Sequence, residues 1–122
     1  MEILQPPADT GYEAAVEIVE KLRAAGITAT NDPRSATPPC VLVPPPTSDF
    51  QRIGCNGAWC SFDLYVLAPG TANADAFRTL EWLAYWVRKA LPHVTAQYPS
   101  QYNLSADSPP LPAYRLPIEL GV

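Results

Sequence analysis

The chain between Ala74 and Leu91 reads ADAFRTLEWLAYWVRKAL, and this stretch decides the fold because helical spacing places apolar residues on two opposite sides of it. One side has the stripe that an amphipathic helix packs on a core, and its members are Phe77, Leu80, Ala84, Val87 and Leu91. About half a turn away lies the tryptophan face, which consists of Trp82, Tyr85 and Trp86. A small domain buries one side of such a helix, so the tryptophan face predicts a contact with another protein chain.

The sequence allows two interpretations of the tryptophan face. In the first, the helix is rotated or the C-terminal strands fold over it, and its aromatic residues belong to the core. In the second, the aromatic residues are anchors of a subunit interface, with Arg78 and Lys89 at its rim. The two interpretations predict different behaviour of the isolated chains, which associate only in the second.

The length and composition predict a single globular domain over residues 1–122. A chain of 122 residues is long enough for one hydrophobic core and too short for two, and 48% hydrophobic residues exclude a disordered chain despite 15 prolines. No apolar run approaches the roughly 18 residues of a membrane span, and residues 1–8 lack the features of a signal peptide. We therefore expect a protein that is made in the cytosol and has no membrane partner.

The charge disfavours a protein that grips nucleic acid. The net charge is -4, and the few Lys and Arg residues are scattered along the chain. Binding to a phosphate backbone needs concentrated positive charge, which releases the condensed counterions. An acidic protein can nevertheless lie beside DNA without holding it.

The cysteine and histidine content predicts neither a metal site nor a catalytic site. Cys40, Cys55 and Cys60 are an odd number of thiols, and the only histidine, His93, is distant in the sequence, which is unlike the paired ligand spacing of a zinc site. A cysteine that met His93 in space would form a nucleophilic couple, but no catalytic motif surrounds these residues. We interpret the thiols as small apolar core residues, and we expect no cofactor, no metal and no enzymatic activity.

Turn and cap signals predict the elements in the first part of the chain. Thr10 and Glu13 have the spacing of a capping box, and Gly26 suits the left-handed end of a helix, so we expect a helix from Gly11 to Ala25. Two short strands are expected next, Ile27–Thr30 and Cys40–Val43.

Prolines limit the second of these strands. Pro44, Pro45 and Pro46 follow it directly, and proline donates no hydrogen bond to a ladder. We expect the chain from Pro44 to Phe50 to leave the strand as a stiff, extended arm. Such an arm would reach a neighbouring subunit at a small entropic cost.

The dipeptide Asn56-Gly57 is a strong hairpin signal, because both residues tolerate the positive φ of a type I′ turn. A two-residue loop there predicts that Arg52 faces Ser61 and lies diagonally opposite Asp63, within reach of an ion pair. The second strand of the hairpin alternates, and its core-facing residues are expected to be Cys60, Phe62, Leu64 and Val66. Two further strands are expected, around Tyr102–Leu104 and Tyr114–Leu120.

The order of these parts resembles the tail terminator proteins of long-tailed phages that infect actinobacteria. The likeness covers nearly the whole chain and includes the capped first helix, the hairpin and the aromatic helix. The short motifs that carry it are Gly26-Ile27, Asp32-Pro33-Arg34, Pro38-Pro39-Cys40-Val41-Leu42-Val43, Pro110-Leu111-Pro112-Ala113 and Leu116-Pro117-Ile118. The resemblance implies an α+β domain with a mostly antiparallel β-sheet and two α-helices packed on it.

The same resemblance implies a role in the virion. Tail terminators form a hexameric ring that caps the tail tube, stops its polymerisation and joins it to the head connector, without enzymatic activity. The implied partners are further copies of this chain, the tail tube protein and the head-tail connector proteins, while DNA passes through the lumen without specific binding. The expected location is the tail or neck of a virion that is assembled in the host cytoplasm. From periodicity we place these residues at the subunit interface: Trp82, Tyr85, Trp86, Arg78, Lys89, Pro44, Pro45 and Pro46.

Two alternatives remain beside the tail terminator. A neck or head-tail connector subunit would need the same kind of assembly surface. A small-molecule-binding module, or an enzyme that uses a cysteine, would instead need a deep pocket lined by Cys60 or Cys55. Thiol labelling separates this last class from the others, because a reactive cysteine is modified quickly in the native protein and a buried one slowly.

Overall fold

Two α-helices and six β-strands form the part of the chain that the computed structural model describes, which comprises residues 11–49, 59–70, 73–107 and 109–121. In chain order the elements are α1 (Gly11–Ala24), β1 (Ala29–Thr30), β2 (Cys40–Leu42), β3 (Thr47–Asp49), β4 (Trp59–Leu67), α2 (Ala74–Ala90), β5 (Tyr98–Tyr102) and β6 (Leu111–Gly121). A single turn of 3-10 helix at Pro33–Ser35 separates β1 from β2.

The six described strands form one sheet with the order β1-β2-β4-β6-β5. The short strand β3 pairs with β4 on the same side as β2, because β6 occupies the other side of β4 along its whole length. β1 and β2 run parallel, and the remaining pairs are antiparallel. The protein therefore has an α+β fold with a mostly antiparallel sheet and two helices, which confirms the predicted fold class.

The centre of the sheet is the long pair β4 and β6, whose register runs from Trp59 opposite Gly121 to Leu67 opposite Ala113. The predicted alternation of β4 is confirmed, because its core-facing residues have no exposed surface; they are Cys60, Phe62, Leu64 and Val66. Pro117 lies on β6 beyond the segment that pairs with β5. A residue without an N–H is tolerated there because the strand has a partner on one side only.

The prolines after β2 do not lead into a free arm, so that prediction is wrong. Thr47–Asp49 returns to the sheet as β3 and pairs with Trp59–Ser61, while Phe50 lies outside the described residues. Proline cannot donate to the ladder, so the pairing lapses across Pro44–Pro46 and then resumes. From the pair Leu42–Tyr65 to the pair Thr47–Ser61, the segment that joins β2 to β3 is one residue longer than the part of β4 that lies opposite it. This extra residue is absorbed as in a β-bulge.

The predicted hairpin partners of β4 are not the ones that the structure has. Ser61 pairs with Thr47 on one side and Glu119 on the other, and these are not the predicted partner. The ion pair of Asp63 is formed by Arg115, with an Nη1–Oδ1 distance of 3.1 Å. The predicted turn at residues 56–57 lies outside the described part of the chain, as does Arg52.

Local capping interactions fix where α1 ends and where α2 begins. Gly26 has a φ of +84°, and the backbone N–H of Ile27 donates to Leu22 O at 3.0 Å, as in a Schellman motif. α1 therefore ends at Ala24, one residue before the predicted end, while Thr10 of the predicted capping box lies outside the described residues. At the start of α2, Asn73 Oδ1 accepts a hydrogen bond from the backbone N–H of Ala76 at 2.9 Å.

Both helices pack on one face of the sheet. Their buried residues share a hydrophobic cluster with Phe62, Leu64 and Leu116 of the central strands. The opposite face has a smaller cluster formed by Cys40, Leu42, Leu67 and Ala113. The helical layer thus has one covered side, toward the sheet, and one side that faces outward.

The Asn73 cap yields a first prediction. Asn73→Ala should lower the free energy of unfolding by about 1 kcal/mol, because a helix N–H loses its acceptor. Asn73→Asp, which keeps a side-chain acceptor, should be close to the wild type. Urea unfolding of the three proteins, followed by circular dichroism, measures the difference. Equal stability of the Ala and Asp variants would show that this cap does not stabilise α2.

Candidate subunit interface

α2 buries one side against the sheet and exposes the other. Its buried residues are Ala76, Leu80, Leu83, Ala84 and Val87, and Leu91 follows directly after the helix. The prediction that Phe77 belongs to this stripe is wrong, because Phe77 is 60% exposed. With 100° per residue, Phe77 lies about 70° from the centre of the buried side. Leu83, which was not assigned to the core, is buried in its place.

The tryptophan face lies in the open. Trp82 is 62% exposed, Trp86 47% and Tyr85 45%. The two rim residues Arg78 and Lys89 are exposed as well. The interpretation that places these aromatic residues in the core is therefore wrong for the single chain. The surface carries three large apolar side chains whose burial requires a second surface.

Two of the three rings of the tryptophan face contact each other. The rings of Tyr85 and Trp86 meet edge to face, with centroids 5.3 Å apart and an interplanar angle of 84°. Lys89 Nζ lies 5.5 Å from the centroid of the Tyr85 ring, within the range of a cation–π contact. Contacts of this kind restrict the rings of Tyr85 and Trp86, which reduces the entropy that these two side chains would lose on binding a partner.

A groove beside the tryptophan face adds residues that the sequence did not indicate. Trp82 and Trp86 form one wall of this groove, which has a volume of about 430 Å³. The other wall is the turn after α1 together with one proline; its residues are Ala25, Gly26, Ile27, Thr28 and Pro39. The sequence carries no local signal for this wall, because it meets α2 only through the tertiary packing of α1 and β1.

The structure separates the predicted prolines from the tryptophan face. Pro45 and Pro46 line a different cavity, of about 210 Å³, with Gly11, Tyr12 and Ala15 at the N-terminal end of α1. The tryptophan groove lies at the C-terminal end of α1. A helix of 14 residues is about 21 Å long. The predicted interface residues therefore form two patches at opposite ends of this helix.

A hydrogen bond to the sheet helps to fix the orientation of α2. Tyr114 Oη on β6 donates to Glu81 Oε1 at 2.9 Å. Burial, followed by the hydrogen bond to the Glu81 carboxylate, raises the pKa of Tyr114 to about 12. The phenol consequently keeps its proton at neutral pH and remains a donor. This contact lies on the flank of α2 that carries Glu81, away from Trp86.

The two cysteines in the described part of the chain, Cys40 and Cys60, are buried in the protein. Cys40 and Cys60 have no exposed surface, and burial raises the pKa of the Cys40 thiol, which disfavours the nucleophilic thiolate. Cys60 Sγ lies 3.6 Å from Ser48 Oγ, whereas His93 is exposed. Cys55 lies outside the described residues. Neither described cysteine forms a hydrogen bond with His93.

Further properties of the chain bear on the class of site. Within the described ranges, no three His, Cys, Asp or Glu residues are grouped so that they hold a metal ion. Neither described helix has the length and apolar character needed to cross a bilayer. Comparison with protein-family models finds no match, and comparison with curated proteins finds none either. Among the described residues, the tryptophan face is therefore the feature that bears on function.

Thiol accessibility gives a prediction that separates packing from chemistry. In a Cys55→Ser variant, native Cys40 and Cys60 should react with a thiol-specific aromatic disulfide on the order of 100-fold more slowly than in urea, because modification requires opening of the core. The absorbance of the released thiolate measures both rates. Rapid modification of either cysteine in the native variant would contradict the structural interpretation and favour a cysteine-based activity.

Proposed function

We propose that this chain is a virion structural protein, the tail terminator of a long-tailed phage, whose subunits assemble into a hexameric ring through the tryptophan face of α2. The observation that carries the proposal is the exposure of Trp82 and Trp86 on a helix whose opposite side is fully committed to the core. Exposed aromatic side chains that lie side by side in this way are typical of protein–protein contact sites. The order of the sequence motifs resembles that of tail terminator proteins, and for this reason we propose a tail terminator ring as the assembly.

The exposed area of the two indoles, which a contact would bury, fits an assembly of many weak contacts. The exposed parts of Trp82 and Trp86 amount to roughly 200 Å², which is about 5 kcal/mol at ~25 cal/mol per Å². Bringing two subunits together costs an amount of the same order. A single contact is therefore marginal. Closing a ring adds one further contact without immobilising another subunit, so the closed ring is favoured over open chains.

The charge of the chain fits a ring through which DNA passes. With a net charge of -4 and eight Lys and Arg residues, the subunit offers few cations to replace the counterions on phosphates. In this proposal the ring caps the tail tube and meets the head-tail connector through shape and apolar contact. No reaction is required of any residue, and the location is the tail or neck of the virion.

Two other functions use the same surface differently. A neck or head-tail connector subunit would assemble in a similar way and differ in its position in the virion. A small-molecule-binding module is favoured by one observation, namely that the tryptophan groove has a volume of about 430 Å³. Ligand pockets fall in the range of about 300 to 1,000 Å³. Such a module would remain monomeric with a flat apolar ligand stacked on Trp82 or Trp86.

The oligomeric state of the purified protein tests the proposal. The wild type should form hexamers in native mass spectrometry, and Trp82→Ser with Trp86→Ser should dissociate them because the anchors of the contact are lost. The doubly substituted chain should keep the circular dichroism of the folded wild type. A matched control is Tyr98→Ser, since Tyr98 is 46% exposed but lies on the opposite side of the sheet with Arg115.

Two results would contradict the proposal. One is normal assembly of the doubly substituted chain. The other is its unfolding, which would make the two indoles part of the core. Electron microscopy of whole particles, with density assigned to this chain, then separates the end of the tail tube from other positions in the neck.

A further inference from the structure

A second apolar surface lies at the N-terminal end of α1. Tyr12 is 70% exposed there, which is the highest value among the large apolar side chains that the structure describes. Pro45 and Pro46 line a cavity together with Tyr12, and Pro45 is exposed as well. We call Tyr12, Pro45 and Pro46 the tyrosine-proline patch. Like the tryptophan face, this patch is an apolar surface that the rest of the described chain leaves open to water.

The backbone of the proline segment is held from both sides. β2 pairs with β4 as far as Leu42, and β3 pairs with β4 from Thr47 onward, so the segment 44–46 is attached to the sheet at each end. Each proline also has its φ fixed by the ring. A segment that is restricted in this way loses little conformational entropy when it binds a partner.

The tryptophan groove has the character of a site that binds proline. Trp82 and Trp86 form one of its walls, and the turn after α1 together with Pro39 forms the other. Grooves lined by aromatic rings dock proline-rich segments, because such segments arrive in a preformed, extended conformation. A second copy of the chain carries a segment of this kind at Pro44–Pro46.

Charge favours the tyrosine-proline patch over the other exposed aromatic residues as the cover of this groove. The rim of the tryptophan face carries the cations Arg78 and Lys89. Phe77 is followed directly by Arg78, so a contact there would bring rim cations of both copies together. One face of the Tyr98 ring is already occupied by Arg115, whose Cζ lies 4.7 Å from the ring centroid. The residues that line the cavity of the tyrosine-proline patch are uncharged.

We propose that the tyrosine-proline patch of one subunit docks in the tryptophan groove of a second copy of the chain. This inference rests on the proposed assembly through α2 and names the surface that covers it. The patch and the groove lie at opposite ends of α1, about 21 Å apart, so one subunit can hold a neighbour at each end. A contact between two different patches is head-to-tail, which is the kind that generates a ring when the rotation closes.

One head-to-tail contact covers both apolar surfaces. The exposed part of Tyr12 adds roughly 150 Å² to the roughly 200 Å² of the two indoles. A stable interface buries at least about 1,200 Å² in total, so these three side chains form its centre and the surrounding surfaces of the two copies supply the remainder. A symmetric pairing of two tryptophan faces would instead leave Tyr12 in water on each copy.

Covalent capture on the full-length chain tests this contact. All chains carry Cys55→Ser, so that the buried Cys40 and Cys60 are the native thiols that remain. One chain also carries Thr47→Cys beside the patch, and the other Lys89→Cys beside the groove. A mixture in equal amounts, treated with a short bismaleimide, should give the mixed dimer in an amount on the order of tenfold above either dimer of identical chains.

The direction of the contact gives the sharpest readout. Trp82→Ser with Trp86→Ser should reduce the mixed dimer on the order of tenfold when both are placed in the Lys89→Cys chain, because that chain contributes the groove. The same two substitutions in the Thr47→Cys chain should leave the yield unchanged. Mass spectrometry separates the products, and circular dichroism confirms that each chain is folded.

The tyrosine-proline patch has the reverse dependence. Tyr12→Ser with Pro45→Ser should reduce the mixed dimer when both are placed in the Thr47→Cys chain and have no effect in the Lys89→Cys chain. A control chain with Tyr98→Cys in place of Thr47→Cys should give only background cross-linking, since Tyr98 lies on the other side of the sheet.

The outcomes distinguish this inference from the proposed function. If the wild type assembles in native mass spectrometry, three results overturn the pairing while assembly stands: a predominant dimer of two Lys89→Cys chains, an equal effect of the serine substitutions in either chain, or no product above the control. A monomeric wild type without cross-linked product overturns both. A monomeric wild type with the directional mixed dimer supports the pairing and contradicts the hexamer.

Discussion

A helix that lies on an open sheet can bury only one of its sides, and this constraint governs the whole molecule. The central pair of strands β4 and β6 presents one apolar face, and both helices share it. Every apolar residue on the far side of α2 consequently remains in contact with water. Trp82 and Trp86 occupy that side, and the turn after α1 lies beside them without burying them.

The remaining elements keep this arrangement rigid. The Gly26 turn and the Asn73 cap fix the ends of the two helices, and the hydrogen bond between Tyr114 and Glu81 attaches α2 to the sheet. The prolines before β3 redirect an edge of the sheet and do not extend it outward. A rigid subunit with one uncovered apolar side is suited to repeated assembly, because little order has to be created when neighbours meet.

Local signals in the sequence predicted most of the fold. The alternation in β4 and the left-handed helix end at Gly26 each depend on neighbouring residues, and both predictions were confirmed. Other predictions failed because they depend on contacts between distant segments. The return of Thr47–Asp49 to β4 is a non-local pairing, and the burial of Leu83 in place of Phe77 reflects a small rotation of α2 on the sheet. The groove wall at Gly26, Ile27 and Pro39 is equally invisible in the sequence, because three separate segments have to fold together to create it.

The central claim is that a neighbouring subunit covers the two indoles of α2. The most direct measurement is acrylamide quenching of tryptophan fluorescence in a Trp59→Phe chain, which retains Trp82 and Trp86, over a dilution series that spans assembly. The account predicts strong quenching in the dilute subunit and protection in the concentrated assembly. Equal quenching at all concentrations, in a chain whose mass shows that it has assembled, would contradict it.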